Sequence, residues 1–319
     1  MTHTKDKTIA ILGINGHIGQ AVAKAFVARN WRVIGFGRSN KKPVAGVEFI
    51  KGDADSIADI RAAVADAGVV FNGLNLPYDK WFNGAAEALN ARVIEAVSGE
   101  NRTLLFPGNI YNYKATDKVV TPGLRQDPQT PRGAIRVRME DQLKKASGAG
   151  AVQVIILRAG DFFGPDTDGT ILDALVLREA AKGKVALSSE RTVRHAWAYL
   201  PDLAKVFAIL AEKRDQFGAF ETFHFAGHFV SPDETFAAVE RVAQRKLKLV
   251  STPWTTLKLA GLVMPVLREL VKMRYLWDYE MRLEDDRLDA ILGPDFGTPY
   301  HEAIANAAAP IFEKAQKAA

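Results

Sequence analysis

The sequence predicts an α/β fold built on a doubly wound parallel sheet, and three observations predict it. A short apolar run, residues 8–12, leads into a turn containing Gly13, Gly16 and Gly19, and a stretch of helical composition follows. Strand-like apolar runs then alternate with helix-like segments over roughly the first 160 residues. The composition of the 319 residues, 48% hydrophobic and 25% charged, is that of an ordinary globular protein. The length suits one large α/β unit, or two units that share a sheet.

The glycine turn between the first strand and the first helix has the layout that a dinucleotide pyrophosphate requires. The first glycine permits a tight turn, the second lets the phosphates approach the backbone, and the third lets the helix pack closely on the strand. The helix N-terminus adds N–H groups and a positive dipole. A tight turn that binds nothing is the alternative, but the segments on both sides favour a dinucleotide. The predicted cofactor contacts here are Gly13, Asn15, Gly16, His17, Ile18 and Gly19.

The end of the second strand, residues 31–36, indicates which dinucleotide binds. In this fold that strand end reaches the adenosine ribose, where an acid would accept from the 2′-OH of NAD and an arginine would hold the 2′-phosphate of NADP. Arg38 and Ser39 follow the strand, and no acid occurs between residues 37 and 42. Arginine forks onto phosphate. We therefore predict NADP (NADPH or NADP⁺) as the cofactor, with a basic surface turn as the alternative.

Four more strands are predicted in the first half of the chain, at residues 47–51, 68–72, 103–106 and 152–157. The carboxyl ends of parallel strands meet at one edge of a sheet, and ligands bind along that edge. Asp53 is placed to accept from the adenine amino group. The predicted cofactor contacts at these strand ends are Asp53, Ala54, Gly73, Leu74, Pro107 and Ala159.

The alternation of strands and helices loosens after residue 165. The pattern predicts helices at 171–182, 203–213 and 231–245, the last with Ser231 as N-cap and Glu234 completing a capping box. Asp202 is predicted to cap the helix that follows it. We predict a dinucleotide-binding domain over 1–165, with the chain returning to it near 196–225. A smaller, mostly helical C-terminal α/β domain over 166–319 is predicted to bind the substrate.

Composition excludes several other classes. The chain contains no cysteine, which excludes disulfides and thiolate chemistry, and no metal site is predicted from its six histidines. The net charge of +5 does not indicate nucleic acid. No signal peptide is visible, and no apolar run approaches the roughly 20 residues of a membrane span. The expected location is therefore cytoplasmic, with neither a nucleic acid nor a membrane as partner.

Four segments together resemble the extended short-chain dehydrogenases/reductases of the NAD-dependent epimerase/dehydratase group. They are the glycine turn, Gly52-Asp53, residues 157–165 (like the family's LRPxxxYGP) and residues 199–203 (like its VxDLA). The resemblance implies a Rossmann domain, a smaller substrate domain, and oxidoreductase or epimerase-like activity on a small molecule whose identity stays open. Relatives often dimerise through two helices, here residues 80–98 and 132–145. A homodimer is therefore one expectation, although basic residues on the second helix leave the monomer open.

The sequence departs from the family at its catalytic positions. The family uses a Tyr and a Lys four residues apart on one helix, the Tyr passing the proton and the Lys supporting it. Counting back from Glu140 places these positions at Arg132 and Arg136, and the usual Ser or Thr falls at Pro107 or Gly108. Arginine stays protonated and cannot cycle a proton. It can still hold the nicotinamide ribose or polarise a substrate oxygen.

Two tyrosines after the fifth strand, Tyr111 and Tyr113, are the predicted substitutes. A phenol acts near neutral pH when a cation lies beside it, and Lys114, Arg132 or Arg136 is available for that role. Plain pocket walls are the alternative interpretation. The candidate catalytic residues are thus Tyr113, Tyr111, Arg136 and Arg132, and the candidate substrate-binding residues are Asn109, Asp161, Phe162 and His195.

Two functions follow from these patterns. The first is an NADP-dependent oxidoreductase or epimerase-like enzyme acting on a small carbonyl or hydroxyl compound with non-standard catalytic residues. The second is a redox-sensing regulator resembling the NmrA-like proteins, which keep the fold and the nucleotide without the Tyr/Lys pair. The complete second domain favours the enzyme, because nucleotide binding alone would not require it.

Overall fold

The computed structural model describes residues 5–167 and 169–318. Its strands are β1 (Thr8–Leu12), β2 (Arg32–Gly37), β3 (Val47–Lys51), β4 (Val69–Asn72), β5 (Thr103–Gly108), β6 (Val119–Val120), β7 (Gln153–Arg158), β8 (Asp161–Phe163), β9 (Lys184–Leu187), β10 (His195–Tyr199), β11 (Phe220–His224), β12 (His228–Val230), β13 (Lys248–Ser251) and β14 (Arg282–Leu283). Its α-helices are α1 (His17–Val27), α2 (Ile57–Val64), α3 (Ala85–Val97), α4 (Pro131–Gly148), α5 (Leu200–Glu212), α6 (Pro232–Ala243), α7 (Trp254–Ala260), α8 (Pro265–Lys272), α9 (Tyr275–Asp278), α10 (Asp286–Leu292) and α11 (Tyr300–Ala318).

The chain forms two compact units that interleave along the sequence. The first consists of Met1–Asn112, Gln126–Arg158 and Leu203–Phe223, and the second of Tyr113–Arg125, Ala159–Asp202 and His224–Ala319. Residues 113–125 and 159–165 thus fall in the second unit, whereas the sequence-based bounds of 1–165 and 166–319 put them in the first. The assignment of substrate binding to the second unit stays a prediction.

The first unit is built on a seven-stranded sheet with the order β11-β7-β5-β4-β1-β2-β3. Every pairing from β3 across to β7 is parallel, which confirms the predicted doubly wound α/β fold. Strands β1 and β4 are buried along their whole length, as expected for a parallel sheet covered by helices on both faces. The strand order reverses between β1 and β4, so a ligand crevice is expected beyond their carboxyl ends.

Helices α2 to α4 cover one face of this sheet and share a core with it. Representative buried members of that core are Phe36, Ile60, Val93, Phe106 and Leu143. Local signals set where these helices begin. The Ser56 side chain accepts from Asp59 N at the start of α2, and Thr130 caps α4 in front of Pro131.

The second unit combines three small sheets with most of the later helices. Strands pair in the orders β12-β10-β8, β13-β9 and β14-β6. The predicted helix at 171–182 is wrong, because only a π-helical turn, Leu172–Val176, and a 3₁₀ turn, Ala180–Lys182, form there. These irregular turns bring Leu172, Val176, Leu177 and Ala180 into one core. The capping box of Ser231 and Glu234 is confirmed at the start of α6. Among the described residues, none of the helices is both long and apolar enough to cross a membrane.

Candidate active site

The predicted glycine loop lies at the carboxyl end of β1, and two of its glycines are required by the fold itself. Gly13 has a φ of +86°, and a Cβ there would stand 2.7 Å from Gly73 O. A Cβ on Gly19 would stand 2.4 Å from Gly13 O, so a side chain there would push α1 off the loop. These two positions fix the tight turn and the close packing of α1.

Gly16 differs from the other two glycines, because the protein leaves room for a side chain there. Its backbone is extended, and a Cβ would meet only Gly13 O, at an ordinary contact distance of 3.4 Å. Gly16 is also the N-cap of α1, whose first turn has neither a side-chain cap nor an acidic residue. The exposed face of Gly16 and the positive end of α1 therefore fit an anionic group that approaches the backbone closely, as a dinucleotide pyrophosphate does. His17 and Ile18 form the first turn of this helix and are half-buried.

The segment after β2 is held against the glycine loop by Asn15. Its Nδ2 donates to Ser39 O at 2.6 Å, and its Oδ1 accepts from Lys41 N at 3.2 Å. Arg38 in the same segment is exposed and makes no hydrogen bond or ion pair with any described residue. The Asn15 side chain thus positions the segment that carries Arg38. The Arg38 guanidinium itself is available to a ligand.

The other predicted cofactor residues of the first unit also lie at the carboxyl edge of the sheet. Asp53 after β3 is exposed, and its carboxylate accepts from Asp55 N in a local turn, while Ala54 is half-buried. Gly73 after β4 donates its N–H to Leu12 O at 2.9 Å. The N–H of Leu74 donates to the Asn72 side chain. The topology therefore brings these strand ends to one edge, and their contact with a cofactor stays a prediction.

Arg132 is a buried cation in an aromatic cage on α4. The side chain is 1% exposed, and its guanidinium carbon lies 4.2 Å from the centroid of the Tyr78 ring and 5.0 Å from that of Trp81. Its Nη2 donates to Tyr78 O at 2.6 Å. These contacts replace water around a permanent charge with π-faces and a carbonyl oxygen. The sequence did not identify Tyr78 or Trp81, although both follow β4 at the same edge of the sheet.

Arg136 lies one turn further along the same face of α4. Its guanidinium carbon is 4.6 Å from the Phe106 ring centroid, and its Nη2 donates to Pro107 O, at another predicted cofactor residue. Burial lowers the pKa of Arg136 to about 10. Glu140, Tyr111 and Tyr78 oppose that shift, which places both phenols within electrostatic range of this cation. The prediction that Arg132 and Arg136 share one face is therefore confirmed.

The hydroxyl groups of Tyr111 and Tyr78 form a hydrogen bond with each other. Tyr111 is 8% exposed and lies in the turn after β5, which the Asn109 side chain holds by accepting from Tyr111 N at 3.0 Å. The turn also packs against α4, because a Cβ on Gly133 would stand 2.1 Å from Tyr111 O. Asn109 thus supports the turn, and the phenol pair sits beside Arg132.

A buried ion pair anchors α4 to the end of β7. Arg158 is fully buried and forks onto Glu140, with Nη2 to Oε2 at 2.8 Å and Nη1 to Oε1 at 3.1 Å. Gln126 donates to the same carboxylate at 2.7 Å. Burial by itself would raise the pKa of Glu140, but Arg158 and then Arg136 hold it below its ordinary value. The pair fixes the helix that carries Arg132 and Arg136.

In the second unit, Asp161 and His195 form a buried polar cluster with Trp277. Asp161 Oδ2 accepts from Trp277 Nε1 at 2.8 Å and lies 2.9 Å from His195 Nε2. His195 Nδ1 lies 2.9 Å from Leu276 O. Both ring nitrogens are therefore engaged. His195 also lines a cavity of about 10 Å³, which is room for about one water molecule.

The remaining predicted residues lie in the second unit as well. Tyr113 is 1% exposed, and its ring meets His224 edge-on at a centroid distance of 6.3 Å. Phe162 is half-buried in β8, and Ala159 is buried directly after β7. The prediction that Asp202 caps the following helix is wrong. That helix begins at Leu200, and the Asp202 carboxylate instead accepts from the N–H and the hydroxyl of Thr298. Its partner is about a hundred residues away, so local sequence could not reveal it.

No cluster of His, Cys, Asp and Glu suited to a metal ion occurs in the part of the chain that the structure describes.

Comparisons with known proteins agree with this architecture. The sequence model of the NAD dependent epimerase/dehydratase family matches residues 9–226. Among solved structures, a proposed epimerase from Burkholderia cenocepacia J2315 aligns with a TM-score of 0.77 at 17% identity, covering 96% of this chain and 98% of that one. No curated protein matches the chain in sequence.

Two further structures were determined with ligands. MoeE5 in complex with UDP-glucose and NAD aligns with a TM-score of 0.76 at 16% identity, covering 97% of this chain and 99% of that one. UDP-glucose 4-epimerase from Brucella ovis in complex with NAD gives 0.74 at 16% identity, with coverages of 96% and 98%. At such identities the likeness establishes the fold.

Proposed function

Because this chain belongs to the NAD-dependent epimerase/dehydratase family, we propose that it is an NADP-dependent oxidoreductase or epimerase acting on a small carbonyl or hydroxyl compound. The observation that carries the proposal is the hydrogen-bonded phenol pair of Tyr111 and Tyr78 beside two buried guanidinium groups. A nicotinamide dinucleotide, when bound, supplies or accepts the hydride. The residues of this chain then have to bind it, orient the substrate and handle one proton.

Tyr111 is the residue proposed to handle that proton. Counting back from Glu140 places Arg132 and Arg136 at the positions of the family's Tyr and Lys, but guanidinium groups stay protonated and cannot exchange that proton. Positive charge beside a phenol favours its phenolate form. Arg132 stacks on the ring of Tyr78, and Arg136 interacts with both phenols. Tyr111 Oη would give a proton to a substrate oxygen as hydride arrives, or take it in the reverse direction, with Tyr78 Oη stabilising the phenolate.

The preference for NADP rests on Arg38. This exposed guanidinium stands after β2 without an ion-pair partner among the described residues, and no acid occurs from residue 37 to 42. An adenosine 2′-phosphate would give it a charge-assisted, forked hydrogen bond that NAD lacks. MoeE5 and the Brucella ovis UDP-glucose 4-epimerase were solved with NAD, so the proposed preference for NADP would distinguish this chain from those two proteins.

Titration of the purified protein with NADPH, NADP⁺, NADH and NAD⁺ tests the cofactor assignment. We expect NADPH to bind more tightly than NADH. Arg38→Ala should lower the affinity for NADPH about 10- to 100-fold and leave the affinity for NADH unchanged, because a hydrogen bond to a charged group contributes about 1.5–3 kcal/mol. Lys144→Ala is the matched control, because it removes an exposed cation near the far end of α4. Equal affinities for NADPH and NADH in the unmodified protein would refute the assignment.

Turnover is tested by NADPH oxidation with a panel of small aldehydes, ketones and UDP-sugars, the last included because two similar structures contain UDP-glucose or act on it by name. Tyr111→Phe should lower kcat about 100-fold or more while NADPH affinity stays within about two-fold, as expected when a general acid is removed. Tyr279→Phe, at an exposed phenol, serves as the control.

The possible results of the turnover experiment lead to different conclusions. Full activity of Tyr111→Phe would disprove the role of Tyr111 while leaving the enzyme assignment intact. If NADPH binds and no compound of the panel is turned over, the enzyme proposal fails. The redox-sensing regulator would then be the better interpretation, particularly if NADP⁺ and NADPH differ strongly in affinity.

A further inference from the structure

The second unit carries a concentrated patch of exposed apolar side chains. Among the described residues, seven large hydrophobic side chains are exposed, and five of them fall between residues 259 and 266. We call this segment, residues 259–266, the tip. Two of its side chains, Leu262 and Val263, are 77% and 83% exposed. Scattered exposed apolar residues are normal, but such a cluster marks an interaction site. The apolar side chains of the tip are Leu259, Leu262, Val263, Met264 and Val266.

The tip is an ordered turn between two short helices. It joins α7 to α8, and Met264 N donates to Ala260 O at 2.9 Å while Arg268 N donates to Met264 O at 3.1 Å. The helices approach closely, because a Cβ on Gly261 would stand 3.0 Å from the Arg268 Cα. The N–H groups of residues 261–264 all donate to carbonyl groups of α7, so these four donors would stay paired if the tip entered an apolar medium.

The surroundings of the tip are cationic. The stretch from Trp254 to Arg274 contains four cationic side chains and one acid, Glu269. Glu269 is only 4% exposed, and Lys272 Nζ lies 2.7 Å from its carboxylate. Lys258 and Arg268 are exposed on either side of the tip, and Lys258 makes no ion pair with any described residue. The patch thus combines aliphatic side chains at its centre with positive charge at its base.

We propose that the tip inserts into the surface of a bilayer containing anionic lipids, with Lys258 and Arg268 contacting the headgroups. Aliphatic insertion combined with basic residues at headgroup depth is how short amphipathic segments hold a membrane surface. α7 and α8 have 7 and 8 residues, which is too short to span. The sequence predicted no membrane partner because no apolar run is long enough to span a bilayer. Insertion into the surface of a bilayer does not require a spanning segment.

A second copy of the chain fits the tip less well. Two tips placed together would set their cations opposite each other, which opposes association. Protein interfaces also bury about 800 Å² on each partner and depend on aromatic anchors, whereas the exposed side chains of the tip are aliphatic. The proposal is independent of the proposed catalytic function, since it involves none of the residues assigned there.

Co-sedimentation with vesicles tests the proposal on the full chain. The protein should sediment with vesicles of phosphatidylcholine and phosphatidylserine, less with phosphatidylcholine alone, and less at high salt. Leu262→Asp combined with Val263→Asp should lower binding at least about 10-fold on both vesicle types. Lys258→Glu should lower it only on the anionic vesicles. Tyr279→Asp is the matched control, because it places a charge at an exposed hydrophobic side chain outside the tip.

A fluorescent label gives a second readout that does not depend on sedimentation. The chain has no cysteine, so Val263→Cys creates a single site for an environment-sensitive dye. The emission should shift to the blue on anionic vesicles, whereas a dye at Tyr279→Cys should not shift.

The proposal is wrong if the unmodified protein does not bind anionic vesicles, or if the charged variants of the tip bind as well as it does. It is also wrong if the protein dimerises without vesicles and the Leu262→Asp, Val263→Asp variant is monomeric. The tip would then be an interface between copies. An unchanged Tm of each variant shows that it is folded, so that lost vesicle binding can be attributed to the tip.

Discussion

Alanine at two glycines of the same loop should give opposite results, and this contrast tests whether the loop binds a dinucleotide. At Gly19 a Cβ would stand 2.4 Å from Gly13 O, inside any real contact distance. At Gly16 it would meet Gly13 O at 3.4 Å, and the backbone there, at φ −77° and ψ 156°, suits any residue. The packing of the protein therefore requires glycine at position 19. At position 16 glycine is required only by a ligand that approaches the backbone.

The magnitudes follow from these contacts. Gly19→Ala should destabilise the protein by about 1–3 kcal/mol, as overpacking against backbone does. Gly16→Ala should leave stability within about 0.5 kcal/mol, because the gain from restricting the unfolded chain offsets the small loss at an N-cap. Its methyl group would still occupy the space that the phosphates approach. NADPH binding should weaken at least about 10-fold, which corresponds to about 1.4 kcal/mol.

Thermal unfolding without nucleotide measures the first effect, and a tryptophan-fluorescence titration with NADPH measures the second. We expect Gly19→Ala to lower Tm while Gly16→Ala keeps it, and Gly16→Ala to lose affinity. Unchanged NADPH affinity in Gly16→Ala would refute the placement of the pyrophosphate at this loop. A large loss of stability in Gly16→Ala would refute the packing argument.

Three further predictions concern polar groups that support the two units. Glu140→Gln should lower the free energy of unfolding by about 3–5 kcal/mol at neutral pH, because it removes the carboxylate that neutralises the buried Arg158. Since the folded-state pKa of Glu140 is lowered, that stability is present above its ordinary value of 4.5 and is lost as pH falls. In urea unfolding, the difference in free energy of unfolding between the variant and the unmodified protein should therefore shrink as the pH is lowered. A difference that stays constant with pH would contradict the ion-pair explanation. Asp161→Asn should lower the free energy of unfolding by about 1–3 kcal/mol, because the charged oxygen that faces both Trp277 Nε1 and His195 Nε2 is replaced by a weaker neutral acceptor; an unchanged Tm would show that the carboxylate is not needed. Ser231→Ala removes a capping box and should lower the free energy of unfolding by about 1 kcal/mol. Ser189→Ala, at a partly exposed serine in a loop, is the control and should leave that free energy unchanged.

Short-range patterns predicted the tight glycine turn of the first unit and the capping box at Ser231 in the second unit. The glycine turn, the cap at Ser56 and the capping box at Ser231 are local devices, in which residues a few positions apart meet each other directly. Arg132 and Arg136 could be placed on one face because helical spacing fixes that relation. Their burial was not predictable from the helix alone, since a run of basic residues normally indicates a solvated face. Arg138 and Lys144 on the same helix are indeed exposed.

The sequence by itself determined the order of strands and helices, the glycine turn and the absence of an acid beside Arg38, because each depends on residues that are near one another in the chain. Only the tertiary structure decided which charges are buried and what surrounds them. The phenol pair of Tyr111 and Tyr78 joins two strand ends, and Arg158 reaches Glu140 on another element. Such pairings depend on how distant segments pack. One sequence does not specify them locally, because burial makes a polar group's partner essential without fixing where in the chain that partner lies.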